Sequence, residues 1–226
     1  MTVVSCIMPT RDRRTFVVDA VAQFLVQDYP HRELIVVDDG RDAIADLLPA
    51  DRRIRSIRLD RRTTIGAKRN IACEAATGDV IVHWDDDDWF ANWRLTYQVT
   101  ALTEYSADVC GLSRVYFYDS QSRSAWQYTY PPGGNPWVAG GTLCYRKAVW
   151  RARSFADIDE GEDTQWVWSL RDRKILALDD PTFYIHRLHA DNTNKRRITE
   201  PPFAPCAAEA VERVMRSRGR LAWTDC

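Results

Sequence analysis

The chain has 226 residues, of which 45% are hydrophobic and 28% are charged, a composition typical of a folded globular protein. Its formal net charge of -1 excludes a global electrostatic attraction to nucleic acid or to acidic lipid. No apolar run approaches the roughly 20 residues that span a bilayer, so we expect no transmembrane segment, and only peripheral membrane contact is left open. Six scattered cysteines without a CxxC pair, and the lack of a signal peptide, favour reduced thiols in a cytoplasm.

The first half of the chain alternates strand and helix patterns. Between Arg13 and Gln27, apolar residues recur at spacings of three and four, which defines one face of a helix. A second helix is closed by Gly78. This alternation predicts an α/β fold with a mostly parallel, doubly wound sheet. The predicted strands cover 3–10, 33–40, 53–60 and 79–84, and the predicted helices cover 13–27 and 65–78.

The pattern changes in the second half of the chain. Strand-like runs within 108–145 are predicted to extend the same sheet in an antiparallel or mixed arrangement. Because we find no internal repeat and no linker, residues 1–226 are expected to form a single domain. The other predicted elements are helices at about 91–104, 161–172 and 205–218 and a short strand at 174–178.

Three of the predicted strands end in residues that can bind a ligand. Thr10 and Arg11 end the first strand, Asp38 and Asp39 end the second, and the run Asp85–Asp88 follows the fourth. In an open parallel sheet, ligands bind outside the carboxyl ends of the strands. The acidic groups are therefore expected to converge on one edge of the sheet.

The run of four aspartates, Asp85–Asp88, indicates a divalent cation. Carboxylates gathered in one place raise one another's pKa unless a cation or hydrogen-bond donors compensate. Mg²⁺ and Mn²⁺ prefer oxygen ligands and keep positions for water and substrate phosphates, so we interpret the run as a metal–diphosphate site. The alternative is an acidic turn that caps the next helix, which needs one aspartate rather than four. Trp89 and Phe90 exclude an EF-hand, which requires other residue types at those positions.

Five segments, in this order, resemble the GT-A glycosyltransferases of family 2. They are VSCIMPTRDR, ELIVVDDG about 25 residues later, GAKRNIACEAATGDVIVHWDDDDW, GEDTQWVW and YIHRLHADNTN, which together cover about residues 3–195. The resemblance implies a Rossmann-like GT-A fold with a nucleotide-binding half (1–90) and an acceptor-binding half (91–226). It also implies an Mn²⁺ or Mg²⁺ cofactor and transfer of a sugar from a nucleotide sugar to an acceptor hydroxyl.

The resemblance further implies roles for individual residues. Asp87 and His189 are expected to bind the metal, and Asp163 is expected to be the catalytic base, with Glu162 as its rival. Arg11 departs from the family pattern, in which an aromatic residue often stacks on the nucleobase, although a guanidinium can also stack. The residues expected to contact the nucleotide are Pro9, Thr10, Arg11, Asp38, Asp39, Arg69, Asn70, Asp85 and Asp86.

The chemistry of sugar transfer agrees with these roles. An inverting reaction needs a carboxylate that takes the proton of the acceptor hydroxyl, and positive charge on the departing diphosphate, which a metal supplies. The alternative role for Asp163 is to cap the helix-like segment that follows it. At strand spacing, His186 and His189 are expected to face opposite sides, so that one binds the metal and the other packs. Residues 195–197, Lys-Arg-Arg, either close over the diphosphate or form a solvated basic tail.

Several tryptophans and a pair of glycines are candidate sugar contacts. Core packing is the more common role of tryptophan. For the glycines the alternative is a tight turn, whereas the functional interpretation is a backbone that must approach a sugar closely. The candidate sugar contacts are Trp89, Trp137, Trp166, Gly140 and Gly141.

The leading hypothesis is a metal-dependent inverting glycosyltransferase with a nucleotide-sugar donor, UDP being favoured, and a hydroxyl-bearing acceptor. A sugar-phosphate nucleotidyltransferase would share the nucleotide-binding half, but the segment PTRDRRTF lacks the glycine-rich signature of that class. The third hypothesis is a non-catalytic module that binds a nucleotide sugar, against which Asp87, Asp163 and His189 argue. No nucleic-acid partner is expected, and the sequence does not define the oligomeric state.

Overall fold

Two β-sheets with helices packed on them make up the part of the chain that the computed structural model describes, which is residues 2–192, 198 and 200–217. The helices are α1 (Arg14–Leu25), α2 (Ile65–Ala75), α3 (Arg94–Glu104), α4 (Lys147–Ala152), α5 (Glu162–Ser169) and α6 (Ala208–Arg216). The strands are β1 (Val4–Thr10), β2 (Arg32–Asp38), β3 (Ile54–Arg58), β4 (Val80–His83), β5 (Trp89–Phe90), β6 (Val109–Leu112), β7 (Arg114–Asp119), β8 (Ser124–Thr129), β9 (Cys144–Arg146), β10 (Ile175–Leu178), β11 (Tyr184–Leu188) and β12 (Phe203–Cys206).

The first sheet has the strand order β10-β6-β9-β4-β1-β2-β3. Strand β1 is parallel to β2 and β4, β2 is parallel to β3, and β9 runs antiparallel between β4 and β6. Strands β1, β2 and β4 are largely buried on both faces, as parallel strands covered by helices require. The parallel sheet predicted from the first half of the chain is confirmed, and so are its two helices, with slightly shorter ends.

The second sheet, β12-β8-β7-β11-β5, corrects one expectation. The strands within 108–145 do not all extend the first sheet, because β7 and β8 form a hairpin in the second. The side chains of β7 alternate between two cores. Val115 and Phe117 join the main core, whereas Tyr116 and Tyr118 pack with residues of α6. The chain therefore changes sheets after β6, and the two faces of β7 are covered by the main core and by α6.

Three short elements, α4, β5 and β12, have no counterpart in the sequence prediction. They contain six, two and four residues, too few for a periodic pattern to appear. The predicted helices at 161–172 and 205–218 are confirmed as α5 and α6. In the described part of the chain, no helix combines the length and the apolar character needed to cross a bilayer.

Arg94 of α3 lies where the two sheets meet and is fully buried. Its guanidinium carbon lies 4.6 Å from the ring centroid of Phe90 in β5 and 5.5 Å from that of Trp84, which follows β4. The side chain donates hydrogen bonds to Gln98 Oε1 (2.9 Å) and to the carbonyl of Gly141 (3.0 Å). Burial lowers the pKa of Arg94, and the ring faces and hydrogen bonds offset part of that cost. This single side chain therefore ties both sheets to the turn at Gly140–Thr142.

Replacing Arg94 by alanine is expected to lower the free energy of unfolding by about 3–5 kcal/mol, because it leaves a cavity and buried acceptors without a donor. Urea denaturation monitored by circular dichroism measures the change. The exposed Arg151 of α4 provides a control, since Arg151→Ala should stay within about 0.5 kcal/mol of the wild type. A loss below about 1 kcal/mol for Arg94→Ala would show that the two sheets do not depend on this contact.

Candidate active site

A cavity of about 880 Å³ opens at the carboxyl ends of β1 and β4. Its walls come from the loops that follow these strands, from α2 and from the start of α5. A smaller recess of about 80 Å³ beside Gly140 and Gly141 shares Asp85, Asp163 and Trp137 with the cavity wall. The predicted residues that line the main cavity are Pro9, Thr10, Arg11, Arg69, Asp85, Asp86, Asp87, Trp137, Glu162 and Asp163.

The first two aspartates of the run line this cavity and are each paired with an arginine. Asp85 Oδ1 accepts a hydrogen bond from Arg69 Nη2 at 3.1 Å. Asp86 accepts from Thr10 Oγ1 at 2.6 Å and from Arg13 Nη1 at 2.9 Å. Burial raises the pKa of Asp85 and raises that of Asp86 to about 6, with a contribution from the neighbouring carboxylates. The positive charges of Arg69 and Arg13 oppose this rise in pKa and stabilise the ionised form of the two carboxylates.

Asp87 has three nitrogen neighbours at a single oxygen atom. Its Oδ2 lies 2.8 Å from Arg13 Nη1, 3.1 Å from His189 Nε2 and 3.3 Å from Asn192 Nδ2. The His189 ring stacks on Phe16, with a centroid distance of 4.4 Å, and this contact orients the imidazole. Burial acts to raise the pKa of Asp87, but the hydrogen bond with His189 and the charge of Arg13 outweigh it and lower the pKa to about 2. Asp87 is therefore ionised at neutral pH.

Asp88 does not line the cavity but fastens β11 to the aspartate run. The hydroxyl of Tyr184 donates to its Oδ2. His186 Nδ1 lies 3.1 Å from its Oδ1, and the Arg187 amide donates to the same atom at 3.1 Å. The two histidines thus meet different aspartates, His186 at Asp88 and His189 at Asp87. His186 also packs on the ring of Phe117, with a centroid distance of 4.8 Å, and lines the cavity.

Arg69 of α2 joins the aspartate run to the first turn of α5. Its Nη2 lies 3.1 Å from Asp85 Oδ1 and its Nε lies 3.0 Å from Glu162 Oε1. Burial raises the pKa of Glu162, and the charge of Asp163 adds to the rise, while Arg69 opposes it. The helix cap is Gly161, and Asp163 lies inside the first turn, where its Oδ1 accepts a hydrogen bond from the Thr164 amide at 2.5 Å. Glu162 is committed to Arg69, whereas the Asp163 side chain lies over Gly140.

The atoms around Asp87 fit a divalent cation that takes most of its ligands from substrate and water. A carboxylate oxygen and an imidazole nitrogen stand 3.1 Å apart, and both are ligand types that Mn²⁺ accepts. Mg²⁺ also binds through one or two carboxylates plus phosphates and waters. Over residues 2–192, 198 and 200–217, no group of three or more His, Cys, Asp or Glu is placed to hold a metal. The protein alone therefore offers an incomplete coordination shell, which phosphate oxygens can complete.

Comparison of the sequence with models of known families assigns the protein to a family. The model of glycosyl transferase family 2 matches residues 5–167, well over half of the chain. The chain belongs to glycosyltransferase family 2. This membership confirms the predicted family and the glycosyltransferase class.

Curated relatives of this family 2 glycosyltransferase are similar over part of their length. The putative teichuronic acid biosynthesis glycosyltransferase TuaG of Bacillus subtilis is 32% identical over 108 residues, which are 46% of this chain and 43% of TuaG. An uncharacterized glycosyltransferase of Haemophilus influenzae is 30% identical over 109 residues, 46% of this chain and 44% of that protein. The chain therefore matches less than half the length of these relatives.

Solved structures show the same fold. S. aureus TarS 1–349 in complex with UDP-GlcNAc aligns with a TM-score of 0.67 and 19% identity, over 95% of this chain and 64% of that one. The mannosyltransferase PcManGT from Pyrobaculum calidifontis, in complex with GDP-Man and Mn²⁺, aligns with a TM-score of 0.63 and 17% identity, over 86% of this chain and 58% of that one. The predicted α/β, GT-A fold of this glycosyltransferase is thereby confirmed.

Asp38 and Asp39 lie at the end of β2 but do not line the cavity of the glycosyltransferase. Asp38 Oδ2 is paired with Arg58 Nη1 at 2.6 Å. Asp39 Oδ1 lies 2.8 Å from Lys68 Nζ, and its Oδ2 accepts from the Thr63 amide at 2.7 Å. Lys68 and Thr63 are themselves part of the cavity wall. In this structure Asp39 therefore acts on the cavity through Lys68 and Thr63, whereas Arg58, the partner of Asp38, does not line the cavity.

Asn70, Trp89 and Trp166 are also outside the cavity wall. Asn70 follows Arg69 on α2 and so points about 100° away around the helix. Its side-chain oxygen accepts from Trp150 Nε1 at 2.9 Å and from the Phe155 amide at 3.0 Å. Trp166 is 2% exposed and packs on the Phe155 ring at 4.9 Å. Trp89 packs against two cores. These placements favour the packing alternative for both tryptophans.

Arg13 and Lys68 are site residues that the sequence predictions omit. The signal that could have revealed them is the surplus of carboxylates, because buried carboxylates need cations as partners. Arg13 follows β1 and Lys68 lies near the start of α2, and both residues line the cavity. Nothing in the sequence distinguishes Arg13 from its neighbours Arg11 and Arg14, however. Residues 195–197, for which closure over a diphosphate and a solvated basic tail were the two alternatives, fall outside the described residues.

Gly140→Ala is expected to collide with Asp163, because a Cβ at residue 140 would overlap Asp163 Oδ2 and lie 2.5 Å from Asp163 Cγ. We expect a cost of about 1–3 kcal/mol in unfolding free energy, typical of overpacking. Urea denaturation of a double-mutant cycle measures it. In the Asp163→Ala background the clash with the carboxyl is gone, so the cost should fall by at least about 1 kcal/mol. Equal costs in both backgrounds would contradict the contact.

Proposed function

We propose that this glycosyltransferase moves a sugar from a nucleoside-diphosphate sugar, with UDP favoured, to an acceptor hydroxyl with inversion at the anomeric carbon. A divalent cation at Asp87 assists the reaction. The observation that carries the proposal is the Arg69 bridge, which holds Asp85 and Glu162 at 3.1 Å and 3.0 Å and so places the aspartate run and Asp163 on one cavity. The complexes of TarS with UDP-GlcNAc and of PcManGT with GDP-Man and Mn²⁺ support this choice of donor class and cofactor.

The donor nucleotide binds at the strand ends of the first half, residues 1–90. Pro9, Thr10 and Arg11 line this end of the cavity. The Arg11 guanidinium, whose Nε lies 3.6 Å from Asp12 Oδ2, can stack on the base. Exposure separates the roles of the first two aspartates. The Asp85 side chain is 24% exposed and can accept a hydrogen bond from a ribose hydroxyl, whereas the Asp86 side chain is 2% exposed and is held from within the protein.

Asp163 is the general base of the proposed reaction. It takes the proton of the acceptor hydroxyl as that oxygen attacks the anomeric carbon, while the bond from this carbon to the diphosphate oxygen breaks. The sugar then leaves attached to the acceptor, and the nucleoside diphosphate leaves with the bonding electron pair. Glu162 is the weaker candidate, because it is 4% exposed and its carboxylate is paired with Arg69.

Asp87 and His189 hold the cation in this proposal. When bound, the ion neutralises the charge that develops on the departing diphosphate. Asp87 is ready for this role because its pKa of about 2 keeps it ionised. The stacking of His189 on Phe16 fixes the direction of the imidazole toward Asp87 Oδ2.

An aromatic surface next to Asp163 offers a place for the acceptor within residues 91–226. Trp137 lines both the cavity and the recess, and its Nε1 donates to Thr164 Oγ1 at 3.2 Å, one residue beyond Asp163. Its ring stacks on Tyr130 with a centroid distance of 4.9 Å. A tryptophan fixed in this way can pack against the apolar face of an acceptor sugar and hold its hydroxyl near the base.

Asp163→Asn is expected to reduce transfer by about 10²–10⁴-fold, since the amide cannot accept the hydroxyl proton. Release of nucleoside diphosphate in the presence of candidate acceptors measures transfer, and calorimetry measures donor binding, which should be unchanged. Asp172→Asn, at an exposed residue outside the cavity, is the control. If Glu162→Gln abolished transfer while Asp163→Asn retained it, the assignment of the base would be reversed.

Nucleotide binding is expected to raise the melting temperature only when metal is present. At a concentration of one hundred times Kd, a ligand stabilises the native state by about 2.7 kcal/mol, or about 5–10 °C for a chain of this size. A thermal-shift series with UDP, GDP and dTDP, each with Mn²⁺ or with EDTA, measures the effect. Asp87→Asn should remove the metal-dependent part. An absence of any shift with all three nucleotides would contradict the proposed donor class.

A further inference from the structure

Arg13 pairs with the same carboxylate oxygen to which we assign the cation. It lies between β1 and α1, and its side chain is 18% exposed. Its Nη1 lies 2.9 Å from Asp86 Oδ1 and 2.8 Å from Asp87 Oδ2, and its Nη2 donates to the carbonyl of Asp191 at 2.5 Å. One nitrogen of a guanidinium therefore bridges two adjacent buried carboxylates.

The Arg13 guanidinium and a divalent cation compete for the same atom, Asp87 Oδ2. His189 Nε2 already meets the same oxygen at 3.1 Å, and two cations on one oxygen atom repel each other. A cation next to a carboxylate lowers its affinity for a proton by about ten- to a thousandfold. A doubly charged ion is repelled at least as strongly, so the guanidinium must weaken the binding of metal at this position.

We propose that Arg13 is a positioning residue that acts as the counter-cation of the nucleotide-free site and keeps its metal affinity low until a diphosphate binds. It holds Asp86 and Asp87 in place while no metal is bound. Arg13 also lines the cavity, so a bound diphosphate offers its guanidinium another anionic partner and frees Asp87 for the cation. The cation and the donor then bind together rather than independently. This inference rests on the proposed function, because it takes Asp87 as the metal ligand.

The test measures Mn²⁺ binding to the nucleotide-free protein by calorimetry and by electron paramagnetic resonance of free Mn²⁺. Arg13→Gln removes the competing charge, and we expect the affinity for Mn²⁺ to rise by about tenfold or more. Arg13→Lys keeps the charge but loses the planar fork that bridges two carboxylates, so a smaller gain of about threefold is expected. Arg14→Gln is the matched control, since Arg14 is paired with Asp46 away from the cavity and its loss should leave Mn²⁺ affinity unchanged.

A folded Arg13→Gln protein that binds Mn²⁺ no more tightly than the wild type would overturn the inference. A purely structural contact gives that result, since its loss leaves the affinity unchanged or lowers it. If circular dichroism shows that Arg13→Gln does not fold, Arg13→Lys provides the test, and the lack of a gain there overturns the inference as well.

Failure of this inference differs from failure of the proposed function. Mn²⁺ binding to the wild type at saturating UDP tests the metal site itself, and its absence overturns the proposed function. If the wild type binds Mn²⁺ with UDP but the Arg13 variants show no gain without it, only the role of Arg13 is overturned. An affinity that rises from wild type through Arg13→Lys to Arg13→Gln in nucleotide-free protein supports the inference.

Discussion

The neutralisation of consecutive buried aspartates is the constraint on which the rest of the site depends. Asp86, Asp87 and Asp88 are 3%, 7% and 1% exposed, and unpaired carboxylates at such burial are strongly destabilising. The aspartates have no basic neighbour in their own segment, so the compensating groups come from distant parts of the chain. These groups are Arg13 before α1, Arg69 on α2, and Tyr184, His186 and His189 in and after β11. The site is therefore complete only when these remote segments have packed together.

Arg69 gives this electrostatic arrangement its geometry. It is paired on two sides, with Asp85 at the sheet edge and with Glu162 on α5, and these two ion pairs set the separation between the aspartate run and the first turn of α5. Adjacent carboxylates consequently have different roles. Glu162 serves as the anchor, and Asp163, one residue further along the helix, is the general base of the proposed reaction. The same division holds in the aspartate run, where Asp88 anchors β11.

The turn at Gly140–Thr142, which leads into β9 of the first sheet, lies between the core and the site. Arg94 binds the Gly141 carbonyl from the core side, and the two glycines leave the space that the Asp163 and Asp85 carboxylates fill on the cavity side. The turn is thus fixed from one side by packing and constrained from the other by the site. Arg94 and the cavity thus share this turn as a common neighbour.

The sequence by itself determined the parallel sheet, its flanking helices and the gathering of Thr10 and the aspartate run at one edge, because periodicity and strand order are local properties and parallel strands share a carboxyl edge. Only the tertiary structure decided which carboxylate meets which cation. Arg13 and Asp86 are 73 residues apart, and no pattern within one element encodes their contact. For the same reason the strands after β6 could be recognised but not assigned to a second sheet. Which layer a strand joins depends on what covers its two faces, and in β7 those covers are the main core and α6, elements that are remote in the chain.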